Sequence, residues 1–261
     1  MGRYAFADVY RFATSLIACG RMMVNPIHAY GYLRAGMMPE MGEFSLKGLQ
    51  FKGRKEDWVA IREVLVEDEY ACVREILDRN ASPRVLDLGA NIGSFALRVF
   101  MQCPGAKVAS VEAAEDTFQI LESNKEANPN VDWQIFKNGV WKEDVPLNLM
   151  RRGISVGHRV VEGDGGEVVE GISLQTLLLR LGWEQVDLIK MDIEGGEEAI
   201  VPMAIDVLSR ARYLIIEVHN DRIDEEPVMR ALKSAFSRIR QLNDRRSNKP
   251  LYILSHDSAT V

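Results

Sequence analysis

Cysteine is scarce: the chain has three in 261 residues, Cys19, Cys72 and Cys103. They are isolated, odd in number and without the paired spacing of metal ligands. A disulfide framework or a cysteine zinc site is therefore not expected, and reduced thiols in a cytoplasmic protein are. No stretch reaches the roughly 18 uninterrupted apolar residues of a membrane span, so no transmembrane segment is expected. The N-terminal stretch Tyr4 to Val24 comes nearest, with Phe6, Val9, Tyr10, Phe12, Ala13, Leu16 and Ile17, but Asp8, Arg11 and Arg21 interrupt it. It lacks the basic start and small-residue cleavage site of a secretion signal. An excess of positive charge is also missing, since the net charge is −6. A nucleic-acid partner, which needs a basic face for phosphates, is not expected. Arg151, Arg152 and the pair Arg245, Arg246 remain as local basic points. Repeats and low-complexity segments are absent.

What is present is ordinary for a folded domain, with 47% hydrophobic and 27% charged residues. The chain is long enough for one large α/β domain plus an N-terminal extension. The apolar spacing of Tyr4 to Val24 is that of an amphipathic helix. Its polar face is not rich in lysine, which favours docking on protein over a membrane surface and offers a surface for a homodimer. Residues 1–45, closed by Gly31, Gly36, Pro39 and Gly42, read as a helical accessory segment, and residues 46–261 as the main domain.

A short strand is expected at Ser45 to Phe51, then two helices within Asp57 to Asp78, broken near Glu67 to Glu69. From Arg84 strands and helices alternate. The strands are Arg84–Leu88, Val108–Val111, Trp133–Phe136, Val186–Met191 and Tyr213–Val218. The helices are Ser94–Met101, Asp116–Ala127, Leu174–Leu181, Glu197–Ser209 and Pro227–Phe236. This alternation implies a doubly wound α/β fold, a mainly parallel sheet covered on both faces. Ile239–Leu242 and Leu251–Leu254 read as a closing hairpin that adds an antiparallel edge. Asn148 to Gly171, rich in glycine, reads as a long substrate-facing loop ending in a short strand, Glu167–Val169.

Four segments carry chemistry. The first is Asp87-Leu-Gly-Ala-Asn-Ile-Gly93, where a buried strand runs into a glycine turn and a helix. Ligands of open α/β sheets sit beyond the carboxyl ends of the strands. Gly89 and Gly93 let backbone approach a ligand, and the helix from Ser94 offers free N–H groups suited to a carboxylate. The ending Gly-Lys-Ser/Thr of a P-loop is missing, and the spacing is not the G-x-G-x-x-G of a dinucleotide site. The second is Glu112 at the end of the next strand, about 20 residues on, placed to take ribose hydroxyls. The third is Ile189-Lys-Met-Asp-Ile-Glu-Gly-Gly-Glu197. Asp192 and Glu194 are two apart, hence on one side of an extended segment, able to orient a hydroxyl, share a proton or hold a divalent cation. Glu197 suits the start of the next helix. The fourth is Ile216-Glu-Val-His219. His219 is either a base for a hydroxyl proton or a structural histidine bonded to Asp192 or Glu194.

Together these segments resemble the FkbM family of methyltransferases, and Val64-Leu-Val-Glu-Asp-Glu-Tyr70 resembles that family's stretch ahead of the glycine turn. The resemblance runs from about Val59 to His219. Where the family has Glu-Pro after the second strand, this chain has Glu112-Ala113. The resemblance implies a seven-stranded class I methyltransferase fold, S-adenosylmethionine as cofactor with S-adenosylhomocysteine as product, and O-methylation of a sugar, glycolipid, glycan or polyketide hydroxyl. It assigns Asp87, Gly89, Ala90, Asn91, Gly93 and Ser94 to the methionyl part, Glu112 to the ribose, and Ala113, Asn138 and Gly139 to the adenine. Tyr70 either covers the methionyl end or is a core tyrosine. Asp192, Glu194 and His219 fall on the acceptor side, with His219 or Asp192 as base and Asp192 also beside the cofactor. A divalent metal is compatible with these residues but is not part of the expectation. The competing readings are N-methylation of RNA or protein, whose usual N/D-P-P-Y/F motif is missing, a nucleotide-dependent oxidoreductase, and a non-catalytic partner subunit.

Overall fold

The computed structural model describes residues 40–66, 69–78, 80–151, 158–163, 165–243 and 247–256. The expected N-terminal helix, and with it the homodimer surface, lies outside them, as do Arg152, Arg245 and Arg246. Among the described residues no helix is long and apolar enough to cross a membrane.

The first described elements are β1 (Met41–Leu46) and β2 (Leu49–Arg54), an antiparallel hairpin. The single strand expected at Ser45 to Phe51 is thus two strands meeting at a turn. Lys47 and Gly48 both have positive φ, 52° and 85°, the combination a two-residue hairpin loop needs to match strand twist. The hairpin docks on α4 (Glu115–Glu126) through Asn124, whose amide receives Lys52 N–H at 2.6 Å and donates to Lys52 C=O at 3.0 Å. A helical stretch follows: a 3-10 turn (Lys55–Asp57), α1 (Trp58–Ile61) and a π-helical turn (Arg62–Val66), then α2 (Val73–Leu77).

The central sheet has seven strands in the order β12-β13-β11-β10-β3-β4-β5. They are β3 (Arg84–Leu88), β4 (Lys107–Glu112), β5 (Asp132–Lys137), β10 (Val186–Met191), β11 (Ala211–Glu217), β12 (Arg238–Gln241) and β13 (Leu251–Ser255). Helices α3 (Ser94–Gln102), α4, α6 (Glu197–Leu208) and α7 (Glu225–Ala235) complete the alternation. The sheet is mixed. β5, β4, β3, β10 and β11 run parallel, and β13 is antiparallel to both of its neighbours. The closing pair therefore does not add an antiparallel edge. β13 inserts between β11 and β12, which leaves β12 outermost.

Side chains alternate between two cores, one on each face. Leu86, Leu88, Ile189, Met191 and Ile216 belong to one, and Val85, Val108, Leu188, Tyr213 and Ile215 to the other. Burial on both faces explains why these strands read as near-continuous apolar runs.

The glycine-rich region is the main departure from expectation. It is not a long loop but most of a second, four-stranded sheet of order β6-β9-β7-β8. Its strands are β6 (Gly139–Trp141), β7 (Pro146–Met150), β8 (Arg159–Val161) and β9 (Glu167–Ser173), followed by α5 (Leu174–Leu181). Leu147, Leu149 and Val169 are buried against the first core, a period-2 pattern that the surrounding glycines obscure. The local basic point at Arg151 is neutralised, its guanidinium pairing with Asp116 at 2.8 Å and Glu167 at 2.7 Å.

Candidate active site

β3 ends between β4 and β10, and the chain turns sharply at Gly89. The N–H groups of Gly89 and Ala90 both donate to Val111 C=O, at 3.1 and 2.9 Å, and Asp192 N–H donates to Leu88 C=O at 3.0 Å. Gly89 has φ +75°, and a Cβ there would lie 1.8 Å from the Asp192 carbonyl oxygen. Only glycine lets β3 and β10 close up at this point. Asn91 takes φ 51°, and its side-chain oxygen accepts Ile92 N–H at 2.7 Å, the local bond that makes asparagine tolerable in the left-handed region. Glu112 ties the turn from the other side. Its carboxylate accepts Asn91 N–H at 2.9 Å and Ala114 N–H at 2.8 Å. Burial pushes its pKa up, against the pull of these N–H groups.

The turn borders a cavity of about 620 Å³ at the carboxyl ends of the strands. Of the residues expected beside a cofactor, Tyr70, Gly89, Ala90, Asn91, Ser94, Glu112, Ala113, Asn138 and Asp192 line it, and Glu194 lines it as well. Tyr70 serves both readings, being 3% exposed, in edge contact with Phe95 at 5.0 Å, and on the cavity wall. Four expected residues are not on the wall. Gly93, at φ +91°, packs on Trp133, which a Cβ would meet at 2.6 Å. Gly139 faces Val160 of β8, 3.0 Å from an added Cβ. Asp87 and His219 have no solvent exposure.

Asp87 is covered by Lys190. The two are opposite in the β3–β10 register. Lys190 Nζ lies 3.4 Å from Asp87 Oδ1 and 3.6 Å from Asp192 Oδ2, and donates to Gly89 C=O at 2.8 Å. Burial opposes the lysine's charge, yet Asp87 and Asp192 outweigh it and hold its pKa above the ordinary value. Burial likewise raises the Asp87 pKa against the attraction of Lys190.

His219 is clamped by carboxylates. Nδ1 is 3.0 Å from Glu197 Oε1, and Nε2 is 3.2 Å from Glu194 Oε2 and 3.7 Å from Asp192 Oδ1. Burial would lower its pKa, but hydrogen bonds to Glu194 and Glu197 and the charge of Asp192 lift it to about 10. Burial would raise the Glu194 pKa, but His219, Lys249 and Arg222 bring it down to about 2. His219 has no solvent exposure and does not line the cavity, so neither ring nitrogen faces the space a substrate would fill. Of the two readings open from sequence, the structural histidine fits the geometry. Of Asp192, Glu194 and His219, Asp192 is the most exposed, at 26% on its side chain, and it lies on the wall.

Asp192, Glu194 and His219 also offer three donor atoms within 4.8 Å of one another, a spacing a divalent cation could span. Positive charge is already supplied there by Arg222 at 2.7 Å and Lys249 at 3.4 Å from Glu194 Oε2, and by Lys190 beside Asp192.

Sequence reasoning missed several wall residues. Trp141, Leu149, His158 and Val160 come from the second sheet, and Asn243, Ser247, Asn248 and Lys249 from the segment between β12 and β13. Glu217 is the most distinctive. It ends β11, one residue beyond the Met191–Ile216 pairing and so beside Asp192. Burial first, and repulsion from Asp192 second, push its pKa up to about 9. The signal was in view, since an acidic residue at the end of a parallel strand faces the ligand crevice.

Residues 87–249 match the family described as the methyltransferase FkbM domain. The hexuronic acid methyltransferase AglP of Haloferax volcanii is 24% identical over 207 residues, 78% of this chain and 83% of that protein. Among solved structures, the methyltransferase FkbM from Methylobacillus flagellatus KT is 14% identical with a TM-score of 0.48, over 95% of this chain and 60% of that one. The SAM-dependent methyltransferase from Agrobacterium tumefaciens is 13% identical with a TM-score of 0.49, over 85% and 71%. The match to monomeric WbdD, 14% identical with a TM-score of 0.45, covers 74% of this chain and 43% of that one.

Proposed function

Because the chain belongs to the FkbM methyltransferase family, we propose that it transfers the methyl group of S-adenosylmethionine to a sugar hydroxyl. The observation that carries this reading is the charge of the cavity. Its wall is lined by the acidic residues Glu63, Glu69, Glu112, Asp192, Glu194 and Asp221, against the lysines Lys190 and Lys249, while Glu217, also on the wall, keeps its proton at neutral pH. A sulfonium cofactor with net positive charge is attracted to such a wall, whereas the pyrophosphate of a dinucleotide is repelled. That disfavours the oxidoreductase alternative on physical grounds. The sugar hydroxyl is supported by the hexuronic acid methyltransferase among the relatives.

When bound, the sulfonium supplies an already activated methyl group. The residues of this chain supply alignment and charge. Glu112 is placed for the ribose hydroxyls, its carboxylate on the cavity wall and oriented by the N–H groups of Asn91 and Ala114. Ala113 and Asn138, on the cavity wall, would border the adenine, and Tyr70 the methionyl end. Asp192 takes the hydroxyl proton as the acceptor oxygen attacks. Lys190 Nζ lies 3.6 Å from Asp192 Oδ2, beside that carboxylate.

The test is calorimetric titration with S-adenosylmethionine, S-adenosylhomocysteine and NAD, followed by transfer of labelled methyl from S-adenosylmethionine to a panel of neutral glycosides and uronides. Saturable binding of the first two ligands and a methyl ether on a sugar oxygen are expected. Binding of NAD in their place, or label found on nitrogen, overturns the proposal.

A further inference from the structure

We propose that Arg159 is a specificity residue of the acceptor site and holds an anionic group, a carboxylate or a phosphate, carried by the acceptor sugar; this deepens, and rests on, the sugar reading above. Three observations lead here.

The other cations named around the cavity are committed to carboxylates of the protein. Lys190 lies 3.4 Å from Asp87, Lys249 3.4 Å from Glu194, Arg222 2.7 Å from Glu194 and Arg151 2.7 Å from Glu167. Arg159, which opens β8, differs from all four. Its guanidinium makes no hydrogen bond or ion pair with any described residue.

That guanidinium is nevertheless held in place. A Cβ built on Gly195 would lie 3.4 Å from Arg159 Nε and 3.6 Å from Cζ, with Arg222 Cβ at 3.4 Å. Arg159 therefore reaches from the second sheet onto the turn between β10 and α6. Nε is enclosed there without a partner, and the two terminal nitrogens are not enclosed. The carboxylate beside this turn, Glu194, is already shared by Arg222, Lys249 and His219.

The position is the rim of the cavity. Both chain neighbours of Arg159, His158 and Val160, line the wall, and so do both neighbours of Gly195, Glu194 and Gly196. An anionic group is repelled by the acidic wall itself, so its place is at the rim, where a cation is free. A guanidinium fork matches the paired oxygens of a carboxylate or a phosphate. Packing of Nε against Gly195 orders the fork before the acceptor arrives, which lowers the entropy cost of binding.

The experiment measures kcat/KM for methyl transfer from S-adenosylmethionine to methyl glucoside, galactoside and mannoside. Each is supplied as the neutral sugar, as the uronide and as the phosphate at the same carbon. The wild type should prefer one anionic form to its neutral counterpart by about tenfold or more, the scale of a charge-assisted hydrogen bond. In Arg159→Gln that preference should shrink to about threefold or less, mainly through a higher KM for the anionic form. Preference for the uronide names a carboxylate as the group held, and preference for the phosphate a phosphoryl group; either supports the site. Neutral sugars methylated as well as anionic ones overturn the proposal and leave the sugar reading standing, and this comparison needs no variant. A preference that survives in Arg159→Gln also overturns it. Equal loss on all three forms does the same, because it marks Arg159 as holding only the second sheet against the turn. Binding of S-adenosylhomocysteine with no sugar methylated sinks the sugar reading and the proposal with it.

Discussion

Nδ1 of His219 lies 3.0 Å from Glu197 Oε1, and neither side chain has any exposure to solvent. With Glu194 Oε2 3.2 Å from the other ring nitrogen, the imidazole is held between carboxylates at the end of β11 and the start of α6. Removing one partner of a buried pair leaves an uncompensated charge, which costs about 3–5 kcal/mol. His219→Ala is expected to lower the unfolding free energy by that amount in urea titrations. A variant of unchanged stability but abolished methyl transfer would return His219 to the role of base.

Asp192 is the converse case. Asp192→Asn keeps the shape and removes the proton acceptor. Methyl transfer is expected to fall by about 10²- to 10⁴-fold, the usual worth of general base catalysis. Binding of S-adenosylhomocysteine should persist in the same preparation. Near-normal turnover would mean that the acceptor loses its proton elsewhere.

The clamped groups make stability depend on pH with a definite sign. His219 rises from an ordinary 6.5 to about 10 and Glu217 from 4.5 to about 9. Between the ordinary and folded values each holds a proton in the folded state that the unfolded chain has released, so stability falls as pH rises. Both act between pH 6.5 and 9. Glu194 works the other way. Its pKa drops from 4.5 to about 2, so its contribution is full above 4.5 and is lost as pH falls toward 2. Urea midpoints are expected to fall on the alkaline side of neutrality, and Glu217→Gln should flatten part of that fall. A midpoint that climbs from pH 6.5 to 9 would contradict the assignment.

Gly93 separates packing from binding within one motif. It is away from the cavity, and a Cβ would press on Trp133 at 2.6 Å and Leu121 at 2.8 Å, at a φ of +91°. Gly93→Ala is expected to cost about 1–3 kcal/mol through strain and overpacking. The fraction that remains folded, isolated by size exclusion, should bind S-adenosylhomocysteine like the wild type. Gly89 is no cleaner a probe of binding. Its Cβ would strike the Asp192 backbone, so any substitution there disturbs the β3–β10 junction first.

Much of this was legible in the residues. Arg84–Leu88 and Val186–Met191 coincide with β3 and β10, because buried parallel strands announce themselves as apolar runs closed by glycine or acidic residues. Asp192, Glu112 and Asn91 stand at the cavity for the same reason: strand ends are fixed by the chain itself. What could not be read is depth and register. That Lys190 lies across from Asp87 is a relation between strands about 100 residues apart, and nothing local encodes it. That His219 points inward, onto Glu197, depends on where α6 packs. The second sheet was hidden because Gly163 and its neighbours dilute a pattern carried by Leu147, Leu149 and Val169. Asn138 was placed at the cavity, but Gly139 beside it turned to the other side, as adjacent residues of an extended segment do.

The inserted strand β13 has a consequence for the cavity wall. Because it runs back between β11 and β12, the segment that joins it to β12 supplies Asn243, Ser247, Asn248 and Lys249 to the cavity, while the glycine turn and Glu112 come from β3 and β4. Unlinked stretches of the chain thus supply different parts of the wall. A change in the span between β12 and β13 can therefore alter one part of the wall while the glycine turn and Glu112 stay as they are.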